Sequence, residues 1–228
     1  MHAELTNSTI SESTQKKASQ IIESCVHCGF CLATCPTYQI LGDELDSPRG
    51  RIYLIKSALE QNQFTQKSLS HMDRCLTCRS CETNCPSGVE YGQLLEIGRE
   101  IMESKRGKFQ TLYRYLVRKA LLTPIIFKPI GYFYRHSKIS SKPIKPETIQ
   151  SRVLLMGGCV QPSLAPNINH SIKNILAKLN IEVLESSQGQ CCGALDQHLA
   201  ASSEAMKKVK RNIDNWIAQL DSGVEAII

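Results

Sequence analysis

One twelve-residue pattern is written twice. Residues 25–36 read CVHCGFCLATCP and residues 75–86 read CLTCRSCETNCP, so the register Cys25, Cys28, Cys31, Cys35 is repeated by Cys75, Cys78, Cys81, Cys85. A proline follows each fourth cysteine, Pro36 and Pro86. Three thiolates at i, i+3 and i+6 can wrap one small inorganic centre from a tight loop, and Gly29 supplies a permissive residue between them. The fourth thiol, three residues further on and tied to a proline, is directed away from its own loop.

In two-cluster runs of this spacing the fourth cysteine ligates the other cluster. The expectation is therefore two [4Fe-4S] clusters, one on Cys25, Cys28, Cys31 and Cys85, the other on Cys75, Cys78, Cys81 and Cys35. Each copy completes its partner's ligand set, which is why the pattern occurs twice. Zinc modules also use C-x2-C pairs, but two separated pairs rather than four closely spaced thiols ending in proline. His27 and Arg79 lie inside the loops, either as groups that tune the centres through charge or as solvent-facing spacers. His71 and His198 have no companion at metal-ligand spacing and read as ordinary polar residues.

The chain has 228 residues, enough for two domains. Eleven cysteines, an odd number, cannot pair completely. The N-terminus MHAELTNSTISESTQKK lacks the apolar core of a secretory signal, so a cytoplasmic protein with metal-bound thiols is expected. No run of about 18 apolar residues suggests a membrane span. The net charge of +6 is local: between Glu103 and Glu147 there is no acidic residue, while eleven Lys and Arg fall between Lys105 and Lys145. The same stretch carries Phe109, Tyr113, Tyr115, Phe127, Tyr132, Phe133 and Tyr134 and is broken by four prolines.

Helices are expected over TQKKASQIIES, over SPRGRIYLIKSALEQ with Ser47 as cap and Pro48 at the first position, and over GQLLEIGREIM. From residue 151 the texture changes. RVLLMGG and IEVLE read as strands, Ile168, Ile172, Ile175 and Leu179 as one helix face, and Met206, Val209, Ile213, Trp216 and Leu220 as another, with VEAII opening a further strand. Alternation of this kind implies a parallel sheet. The expected organisation is an α-helical ferredoxin-like two-cluster domain over 1–104, a basic and aromatic linker over 105–150, and a partial cysteine-rich (CCG) α/β domain over 151–228. Cys159 and the pair Cys191, Cys192 each fall just past a strand, where open α/β sheets collect ligands. They are candidates for a redox or ligand role, against the plainer reading of buried small residues.

The runs CVHCGFCLATCPTYQILGDELDSPRGRIYLIK, DRCLTCRSCETNCPSGVEYGQLLEIGR and CCGAL resemble the iron-sulfur subunit of glycolate oxidase (glycolate dehydrogenase). That resemblance, from about residue 20 to the last, implies FAD-containing partner subunits that oxidise glycolate to glyoxylate. It also implies electrons passing through this chain toward a membrane quinone pool, hence peripheral association with the cytoplasmic membrane. Related subunits serve lactate and glycerol-3-phosphate oxidation. The family continues through a second cysteine-rich repeat, so the sequence reads as a truncated member, and a noncubane cluster would need thiols from both repeats. With no dinucleotide loop or P-loop, the chain is expected to move electrons without a catalytic substrate site of its own. The reading of another class is a metal-stabilised regulatory or nucleic-acid-binding module using the basic segment; no nucleic-acid partner is expected on the favoured reading.

Overall fold

The computed structural model describes residues 10–61, 64–123, 144–186 and 191–228. Two compact units emerge, Met1–Thr111 with His198–Ala200, and Leu112–Gln197 with Ala201–Ile228.

The first unit is helical. Helix α1 spans Glu12–Glu23 and opens on Ser11, whose hydroxyl accepts from the Thr14 amide. Helix α2 (Pro36–Leu41) begins at the proline that follows Cys35 and stops at Gly42, which adopts the left-handed conformation. Helix α3 (Pro48–Gln61) starts at Pro48, as the sequence predicts, and α4 (Gln66–Asp73) is capped by Thr65. A short helix α5 (Ser80–Thr83) and the long α6 (Tyr91–Ser104) complete the arrangement.

Helices α1, α3 and α4 all pack on α6. Ile22, Ile55, Leu59, Met72, Leu94, Leu95, Ile101 and Met102 are buried between them, each stabilising the fold by roughly 1.5–3 kcal/mol over an exposed position. Gly98 makes the close approach of α3 and α6 possible, since a Cβ there would lie 2.7 Å from Ile55 Cγ1. Cys25 and Cys81 belong to the same buried cluster, so the thiol loops rest directly on the core.

Helix α7 (Lys108–Leu122) occupies part of the stretch expected as linker. One basic residue turns inward and several apolar ones outward: Arg118 is buried against Asp196, while Leu112, Tyr113, Leu116 and Leu121 are exposed. Phe127, Tyr132, Phe133 and Tyr134 lie outside the described residues.

The second unit holds a three-stranded parallel sheet in the order β2-β1-β3, formed by β1 (Ser151–Leu155), β2 (Ile181–Glu185) and β3 (Ala226–Ile227). Ser151 pairs with Ile181 and Val153 with Ala226. After β1 come α8 (Gln161–Leu164) and α9 (Pro166–Lys178), and after β2 come α10 (Ala194–His198) and α11 (Ser202–Asp221). The crossovers β1→β2 and β2→β3 run in opposite directions, so right-handed connections put α9 and α11 on opposite faces of the sheet. β1 is the central strand, and Val153, Leu154 and Leu155 are buried in it. The apolar faces read on the two helices are only partly buried: Ile175 is 60% and Met206 53% exposed. No helix among the described residues is long and apolar enough to cross a membrane.

Candidate metal centres

The two cysteine blocks adopt one backbone, bond for bond. The amide of Cys25 donates to Ile22 O, and that of Cys75 to Met72 O. Leu32 N–H meets Gly29 O as Glu82 N–H meets Arg79 O, both at 2.9 Å, and the fourth cysteines bond back to Leu32 O and Glu82 O. The left-handed residues recur as well: His27 and Thr77 at the third position, Gly29 and Arg79 at the fifth. Arg79 thus holds a conformation that favours glycine, and both His27 and Arg79 have exposed side chains.

The loops then clasp each other reciprocally. Thr34 Oγ1 donates to Ser80 O at 3.3 Å and Asn84 Nδ2 donates to Phe30 O at 2.9 Å. Thr34 and Asn84 are the same position of the repeat, the one before the fourth cysteine, and so are their acceptors Phe30 and Ser80. Sequence reasoning passed over this pair; the signal was two polar side chains at matched positions of a duplication.

That clasp sorts the thiols. One cavity is lined by Cys25, Cys28, Cys31 and Cys85, with Cys81 also at its wall, and not by Cys35. The other is lined by Cys35, Cys75, Cys78 and Cys81, and not by Cys85. Pro48 and Tyr91 border both. All eight thiols are free of disulfides. Such sulfur-only donor sets, backed by apolar walls from Ile52 and Val89, fit an iron-sulfur group.

Electrostatics point the same way. Burial pushes the Cys81 thiol up to about 12, helped by the neighbouring Cys75 and Cys31. Cys31 is raised by burial and by Cys25 and Cys28, whereas hydrogen bonds from the amide and hydroxyl of Ser80 lower Cys78. A metal centre takes its sulfur ligands as thiolates, so binding releases their protons.

A second polar cluster lies beneath the loops. Asp46, fully buried, accepts from Arg51 Nη2 at 3.2 Å and from Arg74 Nη1 at 2.9 Å, and His71 Nδ1 approaches it to 3.1 Å without hydrogen-bond alignment. His71 is therefore a polar residue buried beside a carboxylate. Asp43, Asp46 and His71 could offer three donors to a cation, but two guanidinium groups already neutralise Asp46.

In the second unit Cys159 and Cys191 meet past the carboxyl ends of β1 and β2. Burial raises the Cys159 thiol, as do the charge and hydrogen bond of Cys191 and, more weakly, Cys192. Gly158 and Gly193 flank them in left-handed conformations, and Asn212 Nδ2 holds Cys191 O at 3.0 Å. His198, half-buried at the end of α10, joins no group of potential metal ligands among the described residues.

Comparison with known proteins gives these sites a lineage. Residues 21–89 match the model of the 4Fe-4S dicluster domain, and residues 153–228 that of a cysteine-rich domain. The first unit carries a [4Fe-4S] dicluster domain. Over all of its length the chain is 43% identical to the glycolate oxidase iron-sulfur subunit of Escherichia coli (strain K12), covering 60% of that protein. It is 29% identical over 90% of its length to a probable glycolate oxidase iron-sulfur subunit of Bacillus subtilis (strain 168), covering 55% of it. Across 37% of the chain it is 34% identical to one subunit of a ferredoxin:CoB-CoM heterodisulfide reductase from Methanosarcina mazei, of which it covers 48%. The chain thus spans little more than half the length of the two glycolate oxidase relatives. No solved structure matches it.

Proposed function

We propose that the chain is the iron-sulfur electron-transfer subunit of a glycolate dehydrogenase complex. In this reading it carries electrons from an FAD-containing partner, which oxidises glycolate to glyoxylate, toward a membrane quinone acceptor. The observation that carries the reading is the pair of four-thiol cavities inside a dicluster domain, in a chain similar along its whole length to a subunit of that name. One centre is assigned to Cys25, Cys28, Cys31 and Cys85, the other to Cys75, Cys78, Cys81 and Cys35. When bound, each cluster takes up and returns single electrons. The chain's own residues hold the thiolates, shed the protons of Cys31 and Cys81 on binding, and exclude water with Pro48, Ile52, Val89 and Tyr91. Cys159, Cys191 and Cys192 take a subsidiary redox or ligand role. Glycolate turnover is assigned to the partner and not to this polypeptide.

Anaerobic purification tests this. About eight iron and eight acid-labile sulfide per chain are expected, together with copurification of a flavoprotein and no glycolate oxidation by the isolated chain. Zinc without labile sulfide, or turnover by the chain alone, overturns the reading.

Peripheral attachment to the cytoplasmic membrane belongs to the same proposal. On α7, exposed Leu112, Tyr113 and Leu116 accompany exposed Lys108 and Lys119, a composition suited to an anionic lipid interface. Arg118 is not part of that face, being held by Asp196. Lys108→Glu with Lys119→Glu is expected to weaken sedimentation with anionic vesicles severalfold at low salt, with iron content unchanged. Equal sedimentation of parent and variant removes the lipid assignment.

A further inference from the structure

The two thiol cavities differ in what touches their sulfurs. In the first, the donors are backbone amides: Val89 N–H reaches Cys85 Sγ at 3.5 Å, and the Arg49 amide bonds Cys31. In the second, side-chain hydroxyls are added. Thr37 Oγ1 lies 3.2 Å from Cys35 Sγ, Tyr91 O–H donates to Cys75 Sγ at 3.5 Å, and Ser80 serves Cys78 with both its amide and its hydroxyl.

The Thr37 hydroxyl has one proton and two acceptors in reach. Arg51 Nη1 donates into its oxygen at 3.1 Å, and the proton faces either Asp46 O at 2.8 Å or the Cys35 sulfur. As a thiol, Cys35 can itself donate to Asp46 O, 3.7 Å away. As an iron-bound thiolate it can only accept, and a hydroxyl bond to an anionic sulfur is charge-assisted. Ligation therefore draws the Thr37 proton toward sulfur. Tyr91 is 4% exposed and its hydroxyl is directed at Cys75 from the wall shared by both cavities.

Fixed charge acts in the same direction: Arg74 shares the single Asp46 carboxylate with Arg51, and Arg99 binds the Cys75 carbonyl, while the other arginines at the loops are paired. Arg49 at the first cavity pairs with Glu44, and Arg79 with Glu82. Solvent access works against it: each set contains one exposed thiol, but the second has two buried ones, Cys35 and Cys81, where the first has Cys25, and burial disfavours the added negative charge of the reduced state. To the fixed charges the second site adds more donors on sulfur, and that contribution is the one Thr37 and Tyr91 can be made to reveal.

We propose that Thr37 and Tyr91 are positioning residues that hold the reduction potential of the centre on Cys35, Cys75, Cys78 and Cys81 above that of its neighbour. A single electron entering the domain then comes to rest on the second centre. The proposal rests on the two-cluster reading and its crossed ligand sets. Reduction adds negative charge that spreads onto the ligand sulfurs, and donors already aimed at them stabilise the reduced form without rearrangement. Only an electron moves: no bond between heavy atoms is made or broken, and in the experiment below dithionite supplies it.

The test uses the full chain, loaded with iron and titrated by EPR. Cys28→Ser and Cys78→Ser, at the exposed ligands, each alter one signal and so label the two centres. The signal labelled by Cys78→Ser is expected to appear first on reduction. Tyr91→Phe, which keeps the ring, and Thr37→Val, which keeps the shape, should each shift the electron's distribution toward the first centre by roughly tenfold in the fraction of chains that holds both centres, with the first centre's midpoint unchanged. Thr37→Ser, which restores the hydroxyl, should restore the distribution. Should Tyr91→Phe fail to retain iron, the contrast between Thr37→Val and Thr37→Ser decides alone. The proposal is overturned if the Cys28-labelled signal appears first, if both midpoints move together, or if neither moves at unchanged iron. Absence of iron and sulfide from the parent chain would instead remove the two-cluster reading itself.

Discussion

Cys35→Ser is expected to lose the centre built on Cys75, Cys78 and Cys81, and Cys85→Ser the one built on Cys25, Cys28 and Cys31. Either substitution should lower iron from about eight to about four per chain, because a hydroxyl is a poor substitute for a soft thiolate ligand. The reason is geometric. Cys35 is the residue from which α2 departs, with φ −87° and ψ 109°, and it lines the second cavity and not the first. Cys85 sits in the turn leading to α6, its carbonyl accepting from Gly88, and it lines the first cavity and not the second. Alkylation of the anaerobic protein, followed by mapping of the labelled cysteines, separates the possibilities. In Cys35→Ser the thiols of the second block should become reactive while Cys25, Cys28 and Cys31 stay protected. Labelling confined to the block that carries the mutation would refute the crossing.

Much of this site could be read from the chain because its information is local. Ligand spacing, the proline after each fourth cysteine, the Ser47–Pro48 helix start and the strand-helix alternation after residue 151 all act within a few residues, and α1, α3, α6 and the parallel sheet follow them. What escaped the sequence depends on residues far apart in it. Arg51 joins Asp46 to the carbonyl of His71, and nothing in RGRIYLIK distinguishes a buried arginine from a solvated one. Periodicity misled in the second unit, where Met206, Val209, Ile213 and Leu220 form a regular apolar stripe that is 36–53% exposed. On α7, read in the sequence only as part of a basic and aromatic linker, Arg118 is buried in an ion pair with Asp196 while leucines face out. A repeating pattern marks a helix face; it does not say what that face meets.

The buried Asp46–Arg51 pair carries the other large effect. Asp46→Ala is expected to destabilise the first unit by about 3–5 kcal/mol, the cost typical of removing one partner from a buried ion pair. Arg51 is 1% exposed, so its charge cannot turn to water when the carboxylate is gone. The damage should reach the second centre, because the same network positions its ligand. Arg51 binds Thr37, Thr37 binds Asp46 O, and Cys35 lies against both. Gly50 fastens the assembly from the other side: a Cβ there would fall 1.9 Å from Glu44 O, so α3 presses directly on the turn that carries Asp46. Urea midpoints of the iron-loaded chain, with iron counted along the transition, measure both consequences. Replacing the pair together, Asp46→Leu with Arg51→Met, should recover part of the loss, since apolar side chains leave no uncompensated charge. Iron at the second centre should nevertheless remain reduced in amount, because the donors to Thr37 and the His71 carbonyl are gone. An Asp46→Ala protein within about 1 kcal/mol of the parent would show that Arg51 finds water or another anion, and that the network is not what holds the loops on the core.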